Sequence, residues 1–200
     1  MTGATMTGPA TSGGAPAAGP APRRRLIMWI SLGVAALLAA LVAVLASSSQ
    51  AGQSTSRSQL IGKPAPAVSG PDQSGKTVTV ASYRGRWLLV NFAASWCGPC
   101  REETPQLIAF ADRHTGPGAP AIITIEEDET DLASLRSFLA DRHATWPVVD
   151  DTNAFVDYGS QGLPESYLVD PLGTIVAKVT GGVNADALDK LIATYSAPGS

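Results

Sequence analysis

Both cysteines of this 200-residue chain stand in one pentapeptide, Trp96-Cys97-Gly98-Pro99-Cys100. Two thiols so spaced can form a disulfide with each other and exchange it with a disulfide elsewhere. A thiolate attacks the partner's sulfur, and the second thiol resolves the mixed disulfide. The flanks supply the means of activation. Trp87-Leu88-Leu89-Val90-Asn91-Phe92 precedes the pair and reads as a strand, while Arg101-Glu102-Glu103 follows it and opens a helix. A thiol at a helix N-terminus meets unpaired N–H groups and the positive end of the dipole, and both favour its thiolate. Cys97 is therefore expected to be the exposed nucleophile and Cys100, inside the first turn, the buried resolving thiol. Other uses of two cysteines fit less well. A zinc site lacks a second cysteine pair, and His114 and His143 are too far apart to form one arm of such a site. A purely structural bridge over so short a loop would remove little chain entropy. Haem attachment needs a histidine directly after the second cysteine, where Arg101 stands.

The elements that must position this pair can be read from pattern. Trp87 to Ala93 reads as a buried strand, and Cys100 to about His114 as a helix closed by Gly116-Pro117-Gly118. Pro105 lies inside that helix and is expected to kink it. Upstream, Lys76-Thr77-Val78-Thr79-Val80 alternates polar and apolar residues after a turn at Gly70 to Gly75, as an edge hairpin does. Downstream, Ala121 to Ile125 is a short apolar strand. The acidic run Glu126-Glu127-Asp128-Glu129-Thr130-Asp131 reads as a solvated loop, not a metal site, with Thr130 or Asp131 capping a helix whose apolar residues are Leu132, Leu135, Phe138 and Leu139. Trp146 to Val149 is extended. Tyr167-Leu168-Val169 and Thr174 to Val179 flank the turn Asp170-Pro171-Leu172-Gly173 and form a hairpin, and Ala185 to Tyr195 reads as a last helix. Strands alternating with helices and ending in a hairpin predict an α/β class protein with a mixed sheet.

The N-terminal quarter has a different composition. Residues 1–22 are almost entirely Gly, Ala, Pro, Thr and Ser and carry no charge, so 1–25 is expected to be a disordered tail. Arg23-Arg24-Arg25 follows, and then Leu26 to Ala46 holds no charged side chain. As a helix this segment would be about 31 Å long, enough to cross a bilayer core. The arginines place the tail in the cytoplasm and the rest of the chain outside, with 26–46 as a single transmembrane signal anchor. A cleaved signal peptide is the rival reading. The small residues from Ala46 to Ala51 suit cleavage, but the apolar run is longer than the usual ~7–15 residues of such peptides. Residues 47–58 read as a flexible tether and 59–197 as the outer domain. All seventeen acidic residues lie after Ser58, with only ten basic ones, so this part carries about −7. Such a charge argues against nucleic acid as a partner. Both cysteines fall outside the membrane, where disulfides persist.

Residues 60–196 resemble the membrane-tethered thiol:disulfide oxidoreductases of the TlpA-, ResA- and CcmG-like (DsbE-like) family. The pieces that match are Gly62-Lys63-Pro64-Ala65-Pro66, the block Asn91 to Cys100, Pro105, and Gly162-Leu163-Pro164-Glu165-Ser166-Tyr167 with the hairpin after it. The resemblance implies a thioredoxin-like fold, a mixed central sheet flanked by helices, with an N-terminal β-hairpin extension. It implies a cis peptide bond before Pro164, in a loop packed against Cys97. There the Leu163 backbone would pair with an extended substrate peptide. Trp96, Gly98, Pro99, Leu163 and Pro164 are thus the candidate substrate-binding residues. Cytoplasmic thioredoxin has a buried Asp where this chain has Asn91, which cannot titrate. Similarity to the ResA-like proteins offers Glu103 instead, one turn after Cys100, as the group that exchanges a proton with that thiol. Glu102 is expected to face solvent. No metal or other cofactor is expected.

The Gly98-Pro99 dipeptide is that of thioredoxin, whose potential lies near about −270 mV against about −120 mV for DsbA. It argues for a reductase of protein disulfides. A reductase outside the membrane needs electrons from within, which implies a membrane donor of DsbD or CcdA type. Apocytochrome c, whose Cys-x-x-Cys must be open before haem attachment, is a natural substrate. A general envelope oxidase or reductase is the alternative. A peroxidase-type redoxin would need a Pro-x₃-Thr/Ser-x₂-Cys loop, and Val90 stands where its proline would fall. A non-catalytic peptide-binding module would have no need of both thiols.

Overall fold

The computed structural model describes residues 22–48, 54–55, 58–126 and 130–197. They fall into two units that divide after Ser48. In the first, α1 (Pro22–Ser48) is one helix of 27 residues. It is long and apolar enough to cross a membrane, and Leu26 to Ala43 are exposed along it. The helix takes in Arg23 to Arg25, which the sequence reading had assigned to the tail; residues 1–21 lie outside the described ones.

The second unit is built on a sheet whose centre is the most apolar strand of the chain. β4 (Leu88–Ala93) is buried at every position. It pairs in parallel with β5 (Ala121–Glu126) on one side and antiparallel with β7 (Glu165–Val169) on the other. β6 (Val148–Val149) extends the β5 side, and β8 (Ile175–Thr180) follows β7 through the hairpin. The turn of that hairpin is held by Asp170, whose Oδ1 accepts from the N–H groups of Leu172 and Thr174, and by Gly173 at φ 86°. β1 (Ser54–Thr55) pairs antiparallel with the free edge of β8, so the segment expected as a flexible tether contributes a strand there. The order is β1-β8-β7-β4-β5-β6.

Alternation along the strands sends neighbouring residues to opposite faces. Leu88, Val90 and Phe92 point into one core layer with Ile123, Ile125, Tyr167 and Val169. Phe92 is fully buried, with its ring 5.3 Å from Tyr158 and 5.9 Å from Tyr167 between centroids. The short helix α4 (Thr152–Asp157) and a small hairpin of β2 (Ser69–Pro71) and β3 (Thr77–Thr79) belong to this side of the fold. Leu89 and Ile122 point the other way, into a layer shared with α2 (Gly98–Arg113), α3 (Leu132–Ala140) and α5 (Ala185–Ser196). The β2–β3 hairpin is the expected N-terminal extension, and it closes the open edge of β6. Asp150 N–H donates to Pro71 O, and the Gln73 side-chain amide donates to Trp146 O and accepts from Val148 N–H.

Two expectations are corrected. The acidic run is not wholly a solvated loop: Glu126 ends β5 and is 2% exposed. Residues 127–129 lie outside the described ones. Asp131 stands at the N-cap position of α3 but makes no side-chain cap. Its carboxylate accepts instead from the N–H and the hydroxyl of Ser95, both at 2.6 Å. A strand end and a distant loop outcompeted the local cap because both donors of Ser95 converge on one carboxylate.

Candidate active site

The thiols lie where β4 hands over to α2. Cys97 is the N-cap, in extended conformation, and its Sγ accepts from Cys100 N–H at 3.2 Å. Pro99 occupies the first turn, where its missing N–H costs nothing. The two sulfurs are joined as a disulfide. The expected contrast in exposure is absent in this state: Cys97 is 4% and Cys100 3% exposed. Ala93, Ala94 and Leu163 pack around both. What distinguishes the thiols is the helix start, since Cys97 Sγ holds an N–H donor of the first turn and Cys100 belongs to that turn. Trp96 is 65% exposed beside them, and Gly98 and Pro99 are exposed as well.

The Leu163–Pro164 bond is cis. Leu163 packs on the cysteine cluster, and its N–H and C=O take part in no hydrogen bond among the described residues. Pro164 O accepts from Gly181 N–H at 2.9 Å, which ties this loop to the turn after β8. Glu165, next in sequence, points into the fold. It pairs with Lys178 at 2.8 Å, and both are buried. Burial works against the charge of Lys178, but hydrogen bonds to Glu165 and Tyr167 outweigh it and raise its pKa.

Glu103 is 3% exposed on the face of α2 that meets the sheet, while Glu102 is exposed. Its Oε1 accepts from Asn91 Nδ2 and its Oε2 from Val183 N–H, each at 2.9 Å. Burial raises its pKa from the ordinary 4.5 to about 7, against the lowering effect of the Val183 and Asn91 donors. Glu103 and Cys100 line the same small cavity of about 10 Å³, with Asn91 and Thr124 in its wall. That is room for about one water. A carboxyl that titrates near neutrality beside the resolving thiol can take a proton from it or return one.

In the sequence Asn91 stands out only as a group that cannot titrate. The structure makes it the hub of the site. The register sets Ser166, Asn91 and Thr124 side by side across β7, β4 and β5, all on the α2 face. Asn91 Nδ2 also donates to Ser166 Oγ at 3.1 Å, and its Oδ1 accepts from Thr124 Oγ1 at 3.1 Å. The signal was present: an amide inside a buried strand needs partners. The Val183 N–H carried no such signal, because any residue could supply it. Gly182 before it brings the turn close to Glu103, where a Cβ would stand 3.4 Å from that of Glu103.

The AhpC/TSA family matches residues 61–178. The chain is 34% identical over 145 residues to the thiol:disulfide interchange protein DsbE of Pseudomonas fluorescens biotype C, covering 70% of this chain and 78% of that protein. It is 29% identical over 134 residues to the thiol-disulfide oxidoreductase ResA of Bacillus thuringiensis subsp. konkukian, covering 66% and 76%. The thioredoxin domain of a thiol-disulfide oxidoreductase from Bacteroides vulgatus superposes with a TM-score of 0.60 at 27% identity, over 69% of this chain and 99% of that one.

Proposed function

Because the chain belongs to the AhpC/TSA family and is a thiol-disulfide oxidoreductase of the ResA and DsbE type, we propose that it works as a reductase of protein disulfides outside a membrane. The observation that carries the reducing direction is the thioredoxin-type Gly98-Pro99 dipeptide between the thiols, and the buried Glu103 at the resolving thiol supplies the proton exchange. In the reduced protein the Cys97 thiolate, favoured by the first-turn N–H groups, attacks one sulfur of the substrate disulfide. The other substrate sulfur leaves as a thiolate and takes up a proton. Cys100 then passes its proton to the Glu103 carboxylate and attacks Cys97 Sγ. The second substrate thiolate departs, and the Cys97–Cys100 disulfide holds the two electrons' worth of oxidation. A dithiol donor of DsbD or CcdA type restores the reduced pair. Trp96, Gly98 and Pro99 on one side and the Leu163–Pro164 loop on the other receive the substrate chain, with the unpaired Leu163 backbone groups positioned for strand-like pairing. The α1 anchor holds the domain at the membrane, and apocytochrome c is a substrate of the right chemistry. A peroxidase reading lacks its loop, since Val90 is buried in β4 where the loop's proline would stand.

Two measurements test this. Reduced wild type, Glu103→Gln and Glu102→Gln are compared in a disulfide-reduction assay across pH 6–9. Loss of rate is expected for Glu103→Gln alone, by about 10²-fold at most, the low end of acid–base assistance. Equal rates for all three remove Glu103 from the mechanism. Trapping with Cys100→Ala under non-reducing conditions should recover mixed disulfides through Cys97; recovery of none refutes the assignment of Cys97 as the attacking thiol.

A further inference from the structure

The hydrogen bonds behind Glu103 have a direction, and that direction is set from outside the thiol site. The indole Nε1 of Trp146 can only donate. It donates to Thr124 Oγ1 at 2.9 Å. The single hydrogen of that hydroxyl goes to Asn91 Oδ1 at 3.1 Å. The amide oxygen of Asn91 is thereby kept on the Thr124 side, and its NH₂ group faces Glu103 Oε1 and Ser166 Oγ. Trp146, Thr124, Asn91 and Glu103 are all buried, so a bond left unmade among them is costly.

We propose that Trp146, acting through Thr124, is a positioning residue that locks the Asn91 amide with its donor side on Glu103. A flipped Asn91 would aim its NH₂ at a hydroxyl that already accepts from the indole. The hydroxyl hydrogen would then lose its acceptor, with the cost of an unmade buried hydrogen bond. Without the indole N–H a lone pair of Thr124 Oγ1 is freed, its hydrogen is no longer confined to the Asn91 side, and the flip is released. The flip matters because it changes what Glu103 meets. In the locked state both carboxylate oxygens accept N–H donors, which favours the ionised form. In the flipped state Asn91 Oδ1 repels a carboxylate and accepts from a protonated carboxyl. The groups that face Glu103 are Cys100 on its own helix, Asn91 on β4, Thr124 on β5 and the Val183 N–H before α5; Glu126, a buried carboxyl two residues beyond Thr124 on the same face of β5, does not line their cavity. The lock acts on Glu103 by a direct hydrogen bond, and it keeps Glu103 able to accept the proton of Cys100.

This deepens the reductase reading, and the test is made on the carboxyl itself, without turnover, so the two can fail separately. The carboxyl carbon resonance of Glu103 is followed against pH in the oxidised full chain, where neither thiol titrates. The wild-type midpoint is expected near about 7. Trp146→Phe and Thr124→Val should each raise it by roughly half to one pH unit, the worth of one hydrogen bond. Thr124→Ser should retain the wild-type midpoint, and the double variant should lie no higher than Thr124→Val, because the indole acts only through the hydroxyl. An unchanged midpoint in Thr124→Val, or shifts that add in the double variant, overturns the proposal. If Trp146→Phe does not fold, the wild-type indole Nε1–H resonance decides: it should move through the same midpoint as Glu103, and a resonance flat with pH overturns the coupling.

Discussion

At the scale of the residue, Glu103 makes the protein pH-dependent even when it is oxidised. Its carboxyl is pushed from 4.5 to about 7 by burial. Between those values the folded protein holds a proton that the unfolded chain has released, so stability falls as pH rises through the window. The full effect is about 3 kcal/mol, complete by about pH 8. Urea unfolding of the oxidised protein at pH 5 and pH 8 should show this loss, and Glu103→Gln should flatten it. A second expectation concerns the thiols. Cys97 holds the first-turn N–H and Cys100 does not, so alkylation of the reduced protein at neutral pH should proceed faster at Cys97. Equal rates, read by mass spectrometry of the peptides, would remove the basis for the roles assigned to them.

At the scale of the element, one packing contact depends on a close approach that only glycine permits. The β2–β3 hairpin meets the end of β6 so closely that a Cβ on Gly70 would lie 1.9 Å from the Asp150 carbonyl oxygen. Gly70→Ala should push the hairpin off the edge and break the Pro71–Asp150 hydrogen bond. A loss of about 1–3 kcal/mol is expected, the range for overpacking, measured by thermal unfolding. Gly182 is the contrasting case. Its absent Cβ would make ordinary contact with Glu103, so the same substitution there should fold with little loss. The helix α2 shows how one element serves two ends. Its N-terminus holds Cys97, and one turn past Cys100 its buried face delivers Glu103 to Asn91.

At the scale of the molecule, α1 is long and apolar enough to cross a membrane, and the reductase reading sets the domain outside it. Residues 26–46 hold no charge and follow three arginines, which predicts the thioredoxin-like domain on the outer face. Protease added to intact protoplasts should digest residues 59–197 and leave the α1 segment with the membrane. Full protection would reverse the orientation, and a soluble form starting near Ser47 would show that α1 is a cleaved signal.

The sequence by itself determined the chemistry and the class of fold. Cys97 and Cys100 are neighbours in the chain, the apolar run of β4 and the alternation around it are local, and the hairpin turn at Asp170 to Gly173 is written in four residues. Such signals need no folding to be read, because chain connectivity already fixes the groups relative to each other. The helical spacing also put Glu103 one turn from Cys100. Tertiary structure decided what surrounds that carboxyl. Asn91, Thr124, Ser166 and the Val183 N–H come from four separate stretches, and only strand register and the packing of α2 on the sheet bring them together. It also decided that Asp131 holds Ser95 instead of capping its own helix, and that Ser54 and Thr55 close the sheet edge. At Asp131, donors far apart in sequence compete for one acceptor, and at β8 a distant segment takes a free edge. The winner is set by distance in the folded state, which the order of residues along the chain does not contain.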